Sequence, residues 1–395
     1  MVKITRTQVA VIGSGPSGLL LSELLRKSGV DSVVIDRQSR SHIEARIRAG
    51  VLEWSTVEAL REVGAGDRMD REGMPHSGFE MCFNGFRHRI DLVGLVNRQV
   101  MVYGQTELTK DLISGRLASG APLTFSAQDV RIENVTSGNP KVCFVHGGET
   151  QIIACDYIAG CDGYHGMARQ TIPSEILQVY ERIYPFGWLG VLVDQPPISE
   201  ELIYANGSHG FALCSMRSSS RSRYYLQCQI NENLEDWSDE RFFDELERRL
   251  GPETSRNLQR GASIEKSIAP LRSFVAEPMR YGRLFLVGDA AHIVPPTGAK
   301  GLNLAAADAQ VLARALIEFY HCGRVDLLDR YSDTCLRRVW KVERFSWYLS
   351  QLLHMFPDAT PFERKMQQAE FDYIAQSENA SRSIAENYVG LPLSL

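Results

Sequence analysis

Apolar and polar positions follow two different rhythms along this chain. Residues 7–12 (TQVAVI) form a β-branched, apolar run of the kind buried on both faces of a parallel sheet. A glycine-rich turn, GSGPSG, comes next. The segment LLLSELLRKSG then carries helix formers as far as Gly29, a suitable helix stop. A second apolar run, Ser32–Ile35, ends at Asp36, so the chain opens as a βαβ unit. Helices are expected over 49–64 and 105–119, and 78–103 alternates as strands do. Strand-like runs broken by Gly-Asn-Pro and Gly-Gly fill 122–159, and IIACDYIAG returns the chain to the first sheet. The rhythm changes over 174–275. Alternation at 201–206, 210–216 and 223–230 predicts an antiparallel sheet, with one helix near 239–250. A third apolar strand, RLFLVGD, leads into a loop and a long helix, and 325–387 is mainly helical. Leu336, Trp340, Phe345, Tyr348 and Leu352 mark one helical face there, read as core or subunit contact.

These elements predict an α/β (α+β) chain. A Rossmann-like dinucleotide-binding domain carries an inserted antiparallel-sheet substrate domain and a C-terminal helical region. The expected division is 1–76 with 100–180 for the nucleotide unit and 77–99 with 181–275 for the substrate sheet. A return segment at 276–320 and a helical, dimer-forming region at 321–395 complete it. A length of 395 residues suits two or three compact units rather than one core. With 44% hydrophobic and 23% charged residues the chain reads as globular. A net charge of −5 gives no general affinity for polyanions, so nucleic acid is not expected as a partner. Eight scattered cysteines without a C-x-x-C pair argue for reduced thiols rather than a metal site or disulfide framework. The start, MVKITRTQVAVIG, shows no cleavable signal pattern, and no apolar run reaches the ~18 residues of a membrane span. A cytoplasmic protein is expected.

The clearest chemistry lies at Gly13-x-Gly15-x-x-Gly18, after a strand and opening a helix. The first glycine permits the tight turn, the second lets backbone approach a pyrophosphate, and the third allows close helix–strand packing. Ser17 shares the turn. Asp36, 23 positions beyond Gly13, can accept a ribose hydroxyl. Two further motifs follow strands: CDGYHGMAR, with Asp162, and FLVGDAAH, with Asp289. A helix starting near Gly298 would aim its positive end at a bound group. A second GxGxxG is missing, because Gly64-Ala-Gly66 lacks both the third glycine and a preceding strand. On the strand GFALCSMRS, Ser215 and Arg217 share a face and can reach one ligand, where a guanidinium fork suits a carboxylate.

GxGxxG, then DG, then GD, in this order, resembles the flavoprotein monooxygenases of the aromatic hydroxylase family. Segments such as RIRAGVLE, VYGQTE, YPFGWLG, EKSIAPLRSFV and IAENYVGLP extend the resemblance from residue 8 to 392. The resemblance implies FAD as cofactor, with the nicotinamide visiting transiently rather than on a second Rossmann unit. It implies hydroxylation of 4-hydroxybenzoate at C3 by NADPH and O2, with oxygen carried as a flavin C4a-hydroperoxide. NADH stays open, as does a related substrate such as 3-hydroxybenzoate or 4-aminobenzoate. It also implies a homodimer.

By the same resemblance Arg217, Ser215 and Tyr225 hold the substrate carboxylate. Tyr204 meets the phenol, Tyr388 partners Tyr204, and His76 ends a proton relay. The Pro296 carbonyl contacts the phenol beside Thr297. Arg48, Gln105, Asp162, Arg223 and Asp289 fall at the flavin, as do Lys300, Gly301, Leu302 and Asn303. Arg37, Arg46 and Arg48 suit the nicotinamide's ribose and phosphate. Two positions depart from the family pattern. His42 stands where NADPH-selective members carry tyrosine, and Tyr164 where phenylalanine is usual.

Overall fold

The computed structural model describes residues 3–45 and 50–393. A six-stranded sheet forms the nucleotide side, in the order Arg280–Tyr281, Leu284–Leu286, Tyr157–Gly160, Val9–Ile12, Ser32–Ile35, Leu123–Thr124. All its pairings are parallel except the first. Strand Val9–Ile12 is buried on both faces, which explains its unbroken apolar run. Helix Pro16–Lys27 starts directly after the glycine turn and buries Leu19, Leu20, Leu21, Leu24 and Leu25. Helix Gly301–Cys322 packs beside it, and its alanines at 305, 306, 307 and 309 allow close approach. A four-stranded sheet (Lys3–Arg6, Glu149–Ala154, Lys141–His146, Gln128–Glu133) flanks this unit.

The substrate side is an eight-stranded sheet. Its order is His292–Ile293, Ser263–Glu277, Gln178–Val193, Arg221–Cys228, Ala212–Ser218, Ile203–Asn206, Gly78–Phe83, Phe86–Asp91. Ile203–Asn206 and Gly78–Phe83 pair in parallel, and the other pairings are antiparallel. Strict alternation divides the two faces. One face carries Ala205, Ala212, Cys214, Tyr224 and Leu226 under the helix Asp239–Thr254, which buries Phe242, Phe243, Leu246 and Leu250. Each such side chain stabilises the layer by roughly 1.5–3 kcal/mol. The opposite face carries Phe79, Met81, Tyr204 and Leu213. It packs against the helices Tyr331–Leu353, Pro361–Gln376 and Glu378–Val389.

Two helix bounds need correction. The helix expected over 49–64 spans Trp54–Val63, because Val51–Leu52 pairs as a strand with Val100–Val102. The helix expected near 239–250 runs to Thr254 through a break at Gly251, whose φ of 79° precedes Pro252. The face of Tyr331–Leu353 that meets the core is Cys335, Val339, Val342, Phe345, Leu349 and Leu352. Trp340 is turned outward, 42% exposed, with its indole against Tyr180 and its N–H on Glu277. All eight cysteines are free thiols. Among the described residues no helix is long and apolar enough to cross a membrane.

Candidate active site

The glycine turn divides its labour as its spacing predicts. Gly13 has φ +107°, and a Cβ there would lie 2.2 Å from the Cys161 carbonyl oxygen. A Cβ on Gly18 would lie 2.0 Å from the Gly13 carbonyl oxygen. At Gly15 a Cβ would meet nothing within 4 Å, so this backbone alone has room for an incoming group. Helix Pro16–Lys27 opens directly after Gly15 with no side chain capping its first amides. Asp36 braces the turn: its Oδ2 accepts from the Ser14 amide (2.6 Å) and hydroxyl (2.9 Å), and its Oδ1 from the Gln38 amide (2.8 Å). Asp162 accepts from the Ala168 amide through Oδ2, while its buried Oδ1 has no hydrogen bond among the described residues. Burial raises the pKa of this carboxyl. Open backbone at Gly15, a free helix N-terminus and an unmatched carboxylate oxygen fit the phosphates and hydroxyls of a dinucleotide such as FAD.

Tyr204, Ser215, Arg217, Arg223 and Tyr225 stand on one face of the eight-stranded sheet. Register brings them there: Tyr204 and Tyr225 both lie opposite Leu213, and Arg223 lies opposite Ser215. Gly190 faces Tyr225, and a Cβ there would come within 3.0 Å of its ring and 2.7 Å of Arg223. The absent side chain leaves room for the Arg223 and Tyr225 side chains. Arg217 holds Met216 O at 2.8 Å, but its contacts to Ser215 Oγ (3.3 Å) and Tyr225 OH (3.4 Å) are long. Its Nε has no hydrogen bond, and among the described residues no carboxylate pairs with it. Burial lowers the pKa of this guanidinium. A half-buried cation with an open donor is a ready partner for an anion.

At the other end, the hydroxyls of Tyr204 and Tyr388 are 3.0 Å apart, joining the sheet to helix Glu378–Val389. Phe79 stacks on Tyr388, with ring centroids 4.2 Å apart, and meets Tyr204 edge-on. Burial pushes the Tyr204 hydroxyl up to about 12 and the Tyr388 hydroxyl well above its ordinary value, so both stay protonated at neutral pH. His76 is 2% exposed, and neither ring nitrogen has a hydrogen bond among the described residues. Burial lowers its pKa, against an opposing pull from Glu201. The ring is therefore a neutral proton acceptor. It lines a cavity of about 690 Å³ with Met74, Pro75, Pro197 and Met216.

The turn at Pro296–Gly298 leads into the helix Gly301–Cys322. The Pro296 carbonyl accepts from the Ala299 amide, and the Thr297 hydroxyl meets Ser350 Oγ at 2.9 Å. Lys300 and Asn303 are committed to protein atoms. Lys300 Nζ donates to Glu53 Oε1 (2.8 Å) and Tyr388 O (2.6 Å), and Glu53 Oε2 accepts from Arg338 (2.7 Å). The Lys300 charge is thus balanced by a buried carboxylate. Burial lowers the ammonium pKa, and Glu53 opposes the shift. Asn303 accepts from the Glu53 amide and Thr56 Oγ1 and donates to Val51 O and Ala299 O. Gly301 and Leu302 follow on the same first turn.

Arg223 pairs with Glu265 at 2.9 Å and lies over the Tyr225 ring. Tyr164, the departure in the DG motif, donates to Glu181 at 3.3 Å, with Arg169 and Arg272 over its ring. Gln105 opens the helix Gln105–Ala118, Ser17 is buried in the glycine turn, and Arg37 and His42 are exposed. Arg46 and Arg48 lie outside the described residues. Sequence reasoning missed Glu53, Arg338, Phe79 and Gly190. Only the last carried a signal, a glycine inside a strand.

A dinucleotide turn, a DG and a GD turn, and a small polar pocket on a separate sheet define a flavin-dependent aromatic hydroxylase. The chain belongs to that family: the family model for an FAD binding domain matches residues 6–346. It is 52% identical over 391 residues to the p-hydroxybenzoate hydroxylase of Acinetobacter baylyi, covering 99% of this chain and 96% of that protein. It is also 25% identical over 368 residues to a 6-hydroxy-3-succinoylpyridine 3-monooxygenase of Pseudomonas putida, covering 89% and 90% of the two chains. The crystal structure of a p-nitrophenol 4-monooxygenase from Pseudomonas putida shares the fold. The TM-score is 0.82 at 19% identity, over 99% of this chain and all of that one.

Proposed function

We propose that this FAD-dependent monooxygenase hydroxylates 4-hydroxybenzoate at C3 to give 3,4-dihydroxybenzoate, consuming O2 and a reduced nicotinamide. NADPH is the favoured reductant, and NADH use is measured beside it. Arg217 carries the reading: a half-buried guanidinium with an open donor sits on the same sheet face as the Tyr204–Tyr388 pair. One end of that pocket suits a carboxylate and the other a phenol.

FAD, when bound, supplies hydride acceptance and oxygen activation. Gly13, Gly15, Ser17, Gly18, Asp162 and Asp289 would hold it. The chain's own residues do the rest. Arg217, Ser215 and Tyr225 fix the carboxylate, so the ring can be held in one orientation. Tyr204 hydrogen-bonds the phenol oxygen and, through Tyr388, draws its proton towards His76, which makes the ortho carbon electron-rich. The aromatic wall of Phe79, Tyr388 and Tyr204 keeps bulk water from the reacting atoms.

The test measures hydroxylated product formed per NADPH or NADH consumed, across 4-hydroxybenzoate, 3-hydroxybenzoate and 4-aminobenzoate. Stoichiometric product from 4-hydroxybenzoate supports the assignment. Peroxide alone from that compound, with coupled product from another acid, transfers it to the other acid. We take the units to be 1–76 with 100–180, 77–99 with 181–275, 276–320 and 321–395. We also take the protein to be a cytoplasmic homodimer. Exposed Val179, Ile183 and Trp340 support an apolar contact, and sedimentation decides the oligomeric state.

A further inference from the structure

The turn that carries Asp289 is held by a residue that lies outside it. Asp308, two turns into helix Gly301–Cys322, is 2% exposed. Its Oδ2 accepts from the Gly288 amide at 2.9 Å and from His292 Nε2 at 2.6 Å. One carboxylate oxygen therefore closes both ends of the segment from Gly288 to His292. Inside it, the Ala291 amide donates to the Gly288 carbonyl at 2.8 Å. Gly288 has φ +63°, and a Cβ there would lie 2.8 Å from Ala305 Cβ and 3.4 Å from Ser17 Oγ. The turn is thus wedged between helix Gly301–Cys322 and the first turn of helix Pro16–Lys27, which borders the open backbone at Gly15.

We propose that Asp308, through Gly288 and His292, is the positioning residue that aims the Asp289 turn at the flavin. A buried carboxylate is expensive unless its partners satisfy it. Here the partners are the two ends of the segment that must be aimed. Three carboxyl groups bear on the His292 ring: Asp308, Asp289 and Glu343. Burial works against its charged form, but Asp308 with its hydrogen bond, Asp289 and Glu343 together outweigh that, and the imidazole pKa is raised. A neutral acceptor at 308 would keep the Gly288 contact and lose the pull on His292, leaving the far end of the turn free to move. The proposal rests on the flavin site and is independent of which aromatic acid is hydroxylated.

The experiment reconstitutes the apoproteins of the wild type, Asp308→Asn and His292→Gln with FAD in the absence of substrate. It follows quenching of flavin fluorescence, the visible circular dichroism of the bound flavin, and the melting temperature of each apoprotein. Asp308→Asn is expected to weaken FAD binding by about ten- to hundredfold and to alter the flavin dichroism, with apoprotein melting little changed. Unaltered FAD affinity and dichroism with a lowered melting temperature would make Asp308 a scaffold residue and overturn the proposal. If Asp308→Asn does not fold, His292→Gln decides: weakened FAD binding supports the proposal, and affinity within about twofold of the wild type overturns it. Because no substrate is present, failure of the 4-hydroxybenzoate assignment leaves every reading unchanged.

Discussion

Tyr204 and Tyr388 are 184 residues apart in sequence, yet their hydroxyls meet at 3.0 Å inside a wall of aromatic rings. The contact joins a strand of the substrate sheet to a helix near residue 388, and the proposed proton route crosses this junction.

Replacing either tyrosine by phenylalanine keeps the wall and removes the junction. Tyr388→Phe and Tyr204→Phe should bind 4-hydroxybenzoate with little change but form product about a hundredfold more slowly. Product formation measured separately from NADPH oxidation checks this. Undiminished hydroxylation in both variants would remove the pair from the reaction.

Arg217→Ala should weaken binding of 4-hydroxybenzoate by about ten- to hundredfold, because a charge-assisted contact is lost. Arg217→Lys should recover only part of it, since an ammonium cannot reproduce the fork. Binding of a phenol that lacks the carboxylate should not respond to either change. Titration of the flavin absorbance with each compound reads all three.

The glycine turn offers a comparison between space and strain. Gly15→Ala meets nothing in the protein, so the apoprotein should unfold within about 0.5 kcal/mol of the wild type while FAD affinity falls. Gly13→Ala meets the Cys161 carbonyl at a positive φ and should destabilise the apoprotein itself. Denaturant unfolding of the apoproteins, with FAD titration, separates the two effects.

Glu53 is the only carboxylate among the described residues within ion-pair distance of Lys300, and it also pairs with Arg338. Glu53→Gln leaves two cations in the interior and should cost about 3–5 kcal/mol of stability. Adding Lys300→Met should return part of that loss, a non-additive signature visible in urea midpoints.

His354 gives the fold an acid limit. Its ring accepts from Trp188 at 2.7 Å and stacks on Phe186 and Phe211, and burial pushes its pKa down to about 3. The unfolded chain takes up a proton near pH 6.5 and the folded chain does not. Stability from this group is therefore complete above pH 6.5 and falls as the pH drops towards about 3. Urea midpoints measured across this range should show that decline, and His354→Phe should flatten it.

What the sequence disclosed was local. The strand–turn–helix around Gly13 could be read because each glycine acts on its immediate neighbours. The shared face of Ser215 and Arg217 follows from a two-residue period. What stayed hidden depends on pairings across long separations. The parallel pairing of Ile203–Asn206 with Gly78–Phe83 decides that Phe79 lies beside Tyr204, and no local pattern encodes it. The Lys300 ammonium could be expected near the flavin, but its Glu53 partner lies 247 residues away. The outward turn of Trp340 has the same origin: several helical faces were apolar enough to be core, and packing chose among them.

The carbonyl of Tyr388 is held by Lys300, and the Leu391 carbonyl by Arg338. Glu53 binds both of those cations, so one acid near the start of the chain helps to tie down the C-terminal end of this final helix. The helix Glu378–Val389 therefore works as a latch. If it lifts away, the junction at Tyr204 is gone, while no residue of the glycine turn is removed. Such a molecule could hold its cofactor and still be catalytically silent, so retained yellow colour is a poor measure of the active fraction.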